Sequence, residues 1–572
     1  MHIVLKGIVE DYAKSFDLDS SDISKNFEYF VNYLLAHKEL GHIVQPNELT
    51  TSEDDASLDG IAIFLDGNLI TSLEMAEEIL SDKKRKVDAK IILTQVKSGE
   101  SFEKDDIANF LSGILNFLTQ DNFYPQGTFN QIRHEILFQI LKNVKNIRNG
   151  LPDIAVYFAT SGIYQKSDEH EAIFKQIKYE IEQKTFFHQV KAEPLDRAKL
   201  ISLYDDTNKD IQAKLKFQEF FAIPSMPNIP QSYLALVNAK DFIDSILFDE
   251  DKNIKNNIFE ENIRAYLGEE VYVNSNIKKS LEEEKSQKIF SVLNNGITII
   301  SPDLAFSPSD KTIDLTNYQI INGCQTSNVL FENRDIINDD TKIIVKFIST
   351  THEETITKII SSTNNQSNID NNAFLGLKEK TRMVQRYFET MNNTVGDENR
   401  VYFERRQNEY SQSDYQKSRI FDLRTVVQAY NAMILEEPFN SSRYVKKIFE
   451  SNELFKDDDE ESLYYICSLA LYKIHVAINS KKLKYSNLKW HVLFIMKYVA
   501  TKSNKNWTRN SKKSNQNVKK IIETLTDKEK FENALNECLA IIESLPIPTS
   551  DEIKRQKYTA DLRSKTFEYL NF

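Results

Sequence analysis

In the stretch KNFEYFVNYLLAHKEL, Phe27, Phe30, Val31, Leu34 and Leu35 recur at i, i+3, i+4, i+7 and i+8. That spacing predicts a helix with one buried face, closed by Gly41. LDGIAIFLDG then alternates with period two and ends on Asp66-Gly67, a strand leading into a hairpin turn, with NLITSLE as the returning arm. AKIILTQVKS reads as an apolar strand with a polar end. SFEKDDIANFLSGILNFL follows as an amphipathic helix with Ile107, Phe110, Leu111, Ile114, Leu115 and Leu118 inward. LPDIAVYFATSG adds one more buried strand. This α-β-β-β-α-β order predicts a mixed sheet flanked by helices over residues 1–165.

After a connecting region at 166–230, residues 231–440 mix both periodicities and predict an α+β middle domain. In YQIINGCQTSNVLF a strand through Ile320 and Ile321 breaks at Asn322-Gly323, and Gln325, Thr326 and Ser327 open a helix. A strand from Val345 to Ile348 precedes a helix with Ile356, Ile359 and Ile360 inward. Residues 441–572 predict a mainly helical region, in which LKWHVLFIMKYVA is a core helix burying Trp490, Leu493, Phe494 and Tyr498. The fold class expected is therefore multidomain α/β.

Length supports the division, because 572 residues exceed what one hydrophobic core serves. A net charge of −13 argues against a nucleic-acid or membrane binder that uses its whole surface, and leaves local cationic patches open. Cys324, Cys467 and Cys538 are far apart and form no CxxC pair, which excludes a disulfide framework and a cysteine zinc site. Glu10 and Asp11 interrupt the start before any apolar signal segment, and no 18-residue apolar run occurs. A cytoplasmic protein without a membrane partner is expected.

Chemistry concentrates in the first segment. Asp59 heads one strand, and Gln95 and Lys97 lie two apart on another, so the latter two share a face. Adjacent strands would bring the three together, with Glu28 on the first helix as a further oxygen. That set suits metal-assisted phosphodiester hydrolysis: oxygens hold Mg²⁺ or Mn²⁺, and a lysine positions the nucleophile and stabilises charge. The tripeptide QxK recurs at Gln176, Gln189 and Gln212; only at Gln95 does it follow an apolar strand with an Asp-Gly strand upstream and a helix downstream. In that context the segment resembles the PD-(D/E)XK restriction-endonuclease-like superfamily, especially its Mrr-like branch, in which Gln replaces the last acid. The resemblance implies metal-ligand roles for Glu28, Asp59 and Gln95, and a catalytic role for Lys97 beside them. Histidine spacings for zinc, a P-loop and a GxSxG elbow are absent from the sequence.

FEENIRAYLG, VLNNGITII, YQIINGCQTSNVLF and SSTNNQSNID follow one another in the middle segment. Their order and wording resemble the abortive infection phage resistance (AIPR) family. The resemblance implies a prokaryotic antiviral protein carrying an N-terminal nuclease domain. On the residues themselves, Asn322, Gly323, Gln325 and Thr326 form a strand-turn-helix step whose free N–H groups suit phosphate. Asn295, Asn365 and Gln366 supply amides that could read a base edge or backbone, while Asn and Gly also cap helices and form turns. The step resembles, more distantly, the DG-x-x-R turn of the ParB/sulfiredoxin-like superfamily, with Asn for Asp and Thr326 for the Arg. Arg264 and the pair Arg405 and Arg406 are candidate phosphate contacts, with surface salt bridges as the alternative.

From Leu471 to Lys520 there are 13 Lys/Arg and no Asp or Glu, interleaved with Tyr472, Tyr485, Trp490, Tyr498 and Trp507. A basic surface is expected there, with Lys512 and Lys513 among its phosphate contacts. The acidic run at 456–461, KDDDEE, reads as a solvated loop. Partners implied are DNA or RNA, with a nucleotide or phage-derived trigger and a homo-oligomer left open. The function expected is a metal-dependent nuclease of antiphage defence; the alternative is an inactive sensor or scaffold that controls a partner effector.

Overall fold

The computed structural model describes the chain apart from residues 41–42, 52–56, 82–85, 121–126, 208–209, 249–253, 256–257, 260–270, 365–378, 406–408, 411–412, 442–445, 450–452, 481, 484 and 505–511. Gly41, Arg264, Asn365, Gln366, Arg406 and Trp507 therefore lie outside the described residues. Two compact units form, one from Met1–Thr207 with Leu375–Phe572 and one from Asn208–Phe374. This differs from the four consecutive segments read from the sequence, because the two ends of the chain fold together.

In the first unit α1 (Ile3–Ser15) and α2 (Ile23–His37) precede a five-stranded sheet. Its strands are β1 (Gly60–Leu65), β2 (Asn68–Leu69), β3 (Ala89–Lys97), β4 (Asp153–Thr160) and β5 (Val190–Leu195), in the order β2-β1-β3-β4-β5. β1 is antiparallel to β2 and β3, whereas β3, β4 and β5 run parallel, so the sheet is mixed as expected. The expected turn closes the hairpin: Asp66 and Gly67 have φ of 48° and 70°, the left-handed pair that a two-residue hairpin loop requires. The returning arm is shorter than expected. Only Asn68 and Leu69 pair, because Ser72 caps a helix, α3 (Leu73–Leu80), by accepting from Met75 N at 3.3 Å. Met75, Ala76, Ile79 and Leu80 supply its buried stripe.

Ala62, Phe64, Ile92, Val96 and Leu195 share a core with α1, α2 and α7 (Arg197–Thr207), where all five predicted α2 positions are buried. Strand alternation sends Ile61, Ile63, Ile91, Leu93 and Phe158 to the opposite face. There, α4 (Lys104–Phe117) brings Phe110 to 6.0 Å from the Phe158 ring, and α5 (Thr128–Lys142) and α6 (Asp168–Glu182) complete the layer. Arg133 of α5 is buried and donates to the carbonyls of Ile61, Ile70 and Glu48, tying helix, hairpin and loop. Burial pulls its guanidinium down to about 10, against the opposing pull of Glu48.

The second unit holds a five-stranded sheet in the order β12-β9-β13-β8-β7 and a three-stranded antiparallel sheet β10-β11-β6. The ranges are β6 (Gln212–Lys216), β7 (Glu219–Ile223), β8 (Gln231–Asn238), β9 (Ile297–Ser301), β10 (Asp303–Ser307), β11 (Thr312–Thr316), β12 (Gln319–Asn322) and β13 (Lys342–Ser349). Val237, Phe242, Phe290, Ile299, Tyr318 and Phe347 form part of one core between them.

The C-terminal part of the first unit is mainly helical, around a short parallel pair, β14 (Tyr402–Glu404) and β15 (Ile420–Asp422). Its central helix, Glu461–Asn479, is buried almost all round, and the helix Lys489–Thr501 buries Trp490, Leu493, Phe494 and Tyr498 as expected. This region docks on the N-terminal sheet domain through polar contacts. Ser418 Oγ donates to Asp17 Oδ2 at 2.6 Å, Asn479 Nδ2 to the Phe16 carbonyl at 2.9 Å, and Lys489 Nζ to Glu48 Oε1 at 2.7 Å.

One further expectation is corrected here. The acidic run is not wholly solvated, since Asp459 is buried and accepts from Tyr464 OH at 2.7 Å, while Glu461 holds the buried Lys380 at 2.5 Å. In the basic segment, four lysines are paired with acids from distant elements. Lys482, Lys489, Lys497 and Lys502 pair with Glu532, Glu48, Glu436 and Glu537.

Candidate active-site cleft

Asp59 immediately precedes β1, and its backbone N–H donates to the Thr94 carbonyl of β3 at 2.9 Å. This pairing sets Asp59 beside Gln95, so that Gln95 Nε2 and the Val96 N–H donate to Asp59 Oδ2 at 2.7 and 2.6 Å. Both side chains are buried, at 5% and 4% exposure. Two donors to one oxygen hold the carboxyl group in one orientation.

Asn32 of α2 locks the strands together beneath them. Its amide donates to Thr50 Oγ1 at 2.8 Å and to the Asp59 carbonyl at 3.4 Å, and it accepts from Thr94 Oγ1 at 2.5 Å. Gly60 is required there, because a Cβ would lie 2.4 Å from the Asn32 amide. At the far end of β3, Ser161 Oγ donates to the Ser98 carbonyl at 2.8 Å and pins the loop after Lys97.

These elements frame a cleft of about 300 Å³ lined by Glu28, Asp59, Gln95, Lys97, Glu103 and Asp106, with serines at its edge. All four predicted catalytic positions meet in it. Glu28 is tied to Lys25 at 2.5 Å, and Lys97 Nζ stands 3.9 Å from Asp106 of α4. Gln95 Oε1 is buried and has no hydrogen-bond partner. A buried acceptor left unmatched is costly, and an amide carbonyl oxygen on a residue that lines a cleft with carboxylates is the donor type a hard divalent cation selects. The donor set Glu28, Asp59 and Gln95 therefore fits Mg²⁺ or Mn²⁺ in chemistry, although no group of three His, Cys, Asp or Glu side chains arranged for a metal occurs among the described residues. Sequence reasoning missed Lys25, Asn32, Glu103 and Asp106. Asn32 carried a signal, a polar residue among the apolar positions of α2, and Asp106 falls in the first turn of the helix after Lys97.

Among the described residues, the other predicted positions are found elsewhere in the fold of their own units. Gly323 takes φ 89° between β12 and the helix Cys324–Glu332, as the strand-turn-helix reading requires. Thr326 is buried there and receives a 3.1 Å hydrogen bond from Asn294, so its hydroxyl is engaged within the fold. Asn322, Asn295 and Gln325 belong to the same unit and also carry interactions of their own. Arg405, expected as a phosphate contact, is 4% exposed, with Nε directed at Gln385 Oε1 at 3.4 Å. Lys512 and Lys513 open the helix Lys512–Thr526.

A model of the family described as AIPR protein matches residues 259–546, just over half of the chain. The chain belongs to the AIPR family. No curated protein and no solved structure matches it. In this AIPR chain the match spans parts of both units and stops short of the cleft, whose lining residues all precede residue 107. Membership ties the protein to a family named for abortive infection and phage resistance. No helix among the described residues is long and apolar enough to cross a membrane.

Proposed function

We propose that this AIPR protein is a metal-dependent nuclease of antiphage defence, cleaving phosphodiester bonds of DNA or RNA in the cleft around Asp59, with a PD-(D/E)XK-like N-terminal domain. The observation that carries the reading is the buried, unpartnered Gln95 Oε1 beside an ordered Asp59 carboxylate and Glu28, with Lys97 at the same opening. Asp59, Gln95 and Glu28 would hold the ion, with Asp59 fixed by its two donors. A bound Mg²⁺ or Mn²⁺ supplies Lewis-acid polarisation of the phosphate and a more acidic water. Lys97, partly exposed and loosely paired with Asp106 at 3.9 Å, is able to turn toward a phosphate and stabilise its charge. Purified protein with Mg²⁺ or Mn²⁺ should cut plasmid, single-stranded DNA or RNA, and Asp59→Ala and Lys97→Ala should abolish cutting. Equal cutting by both variants would remove the site assignment.

One observation favours a second reading, a sensor or scaffold that binds nucleotide or nucleic acid for a partner effector. Gln95 is neutral and binds a cation less tightly than an acid would, which suits a site that has lost catalysis. Calorimetry separates the two: metal binding lost on Asp59→Ala supports the nuclease, and nucleotide binding without metal binding supports the sensor.

A further inference from the structure

Lys25 lies in the first turn of α2, three residues before Glu28. Its ammonium is 2.5 Å from Glu28 Oε2, donates also to the Thr51 carbonyl, and stands 5.6 Å above the Tyr29 ring. The two side chains are only 20% and 18% exposed, so this is a partly desolvated pair held by several acceptors, unlike a surface contact between waving side chains. Glu28 lines the cleft, whereas Lys25 does not. The lysine therefore engages Glu28 Oε2 without itself lining the cleft.

We infer that Lys25 is an internal counter-cation and positioning residue for Glu28, setting how tightly the cleft takes a divalent ion. The inference rests on the metal reading of the cleft proposed above. Its physical basis is competition for one negative charge. With the ammonium in place, Glu28 presents a carboxylate already half-neutralised, and the second cation must share it. The local field at the Glu28 and Asp59 oxygens is weakened by a fixed positive charge that cannot diffuse away, and bulk salt screens so short a separation poorly. A cation on the cleft side of Glu28 would stand roughly 5 Å from the ammonium, where a unit charge acting on a divalent ion in a water-like dielectric changes affinity on the order of tenfold. The neutral Gln95 and the charged Lys25 act in the same direction, keeping affinity low so that metal occupancy follows the free concentration and the added charge of a bound phosphate substrate.

The test is Mg²⁺ titration of the full-length protein by calorimetry, with no substrate present. Lys25→Gln removes the charge while keeping a donor for the Thr51 carbonyl, and should tighten Mg²⁺ binding about tenfold, since one unit of repulsion on the divalent ion is gone. Lys25→Arg keeps the charge and should bind as wild type does. Asp59→Ala should abolish binding in either background. Lys25→Met, which retains the aliphatic stem over Tyr29, replaces the Gln variant if that fails to fold. Unchanged or weaker binding in the charge-removing variant, with wild-type binding still dependent on Asp59, overturns the role given to Lys25 and leaves the metal site standing. Absence of any Asp59-dependent binding in wild type and Lys25→Gln alike overturns the metal reading and this inference with it.

Discussion

Gln95 donates one amide hydrogen to Asp59 Oδ2 at 2.7 Å and leaves its own carbonyl oxygen buried without a hydrogen-bond partner. The pair is thus satisfied on one side only. A Gln95→Glu variant replaces the donor with a second carboxylate against Asp59, two like charges in a buried place. Without metal it should lose about 1–3 kcal/mol at neutral pH, the cost of a buried carboxylate losing a donor. Millimolar Mg²⁺ should restore the lost stability and bind more tightly than to wild type. Thermal unfolding with and without Mg²⁺ reads this directly, and a variant indifferent to Mg²⁺ would count against the cleft as a cation site.

Two buried histidines set an acid limit. His475 has both ring nitrogens without partners, and His491 lies in the helix Lys489–Thr501 with one nitrogen unmatched. Burial, joined by the Lys489 charge and opposed by Glu48, pushes His475 down to about 3; burial alone takes His491 to about 3. Each is neutral in the fold and takes a proton near 6.5 when unfolded. Their contribution is therefore complete above about pH 6.5 and declines as pH falls toward 3, at about 1.4 kcal/mol per pH unit for each histidine. The double variant His475→Leu with His491→Leu should show a shallower slope between about pH 6 and about pH 4 in chemical denaturation. An unchanged slope would mean the rings are solvated.

Glu404 gives the opposite dependence. It pairs in register with Asp422 across the β14–β15 ladder, and burial, together with the charges of Asp422 and Glu409, raises it to about 8. The fold keeps it protonated while the unfolded chain ionises near 4.5. Stability from this group is thus present below pH 4.5 and lost as pH rises through about 8. Glu404→Gln mimics the protonated form and should be more stable than wild type at about pH 8, with a flatter profile between about pH 5 and about pH 8. A loss of stability in the variant under those alkaline conditions would show that Glu404 is ionised in the fold.

Nucleic-acid affinity can be assigned by salt. Lys519 and Lys520 are exposed on the helix that Lys512 and Lys513 open, whereas four other lysines of the basic segment are committed to glutamates. If the remaining cations contact phosphates, neutralising Lys512, Lys513, Lys519 and Lys520 together should flatten the log–log dependence of single-stranded DNA binding on salt by ~0.7–0.9 per phosphate lost. Metal binding at Asp59 should stay as it was. Identical slopes for wild type and variant would take this helix out of the substrate path.

Local periodicity made much of the first unit legible from the sequence. The stripe from Phe27 to Leu35, the strand after Asp59, the Asp66-Gly67 turn and the core helix around Trp490 all reappear, since each depends on residues within a few positions of one another. The meeting of Asp59 and Gln95 was legible for a related reason: two adjacent strands with known faces leave few registers open. The family was also readable from the middle strings, which lie within the residues that its model matches.

Partner choice across the fold was not legible. Lys489 finds Glu48 at a separation of 441 residues, and Lys497 finds Glu436 at 61, so part of a segment without one local acid is nonetheless paired. Long-range packing also joins the two chain ends into one unit, buries Arg405, and gives Lys25 its hold on the Thr51 carbonyl. Charge and desolvation act through distance in space, and sequence spacing carries that distance only within a helix turn or a strand pair. Composition and periodicity therefore determined which elements form and which chemistry they carry, while tertiary packing alone decided which charges remain exposed and which oxygens at the cleft are left unmatched.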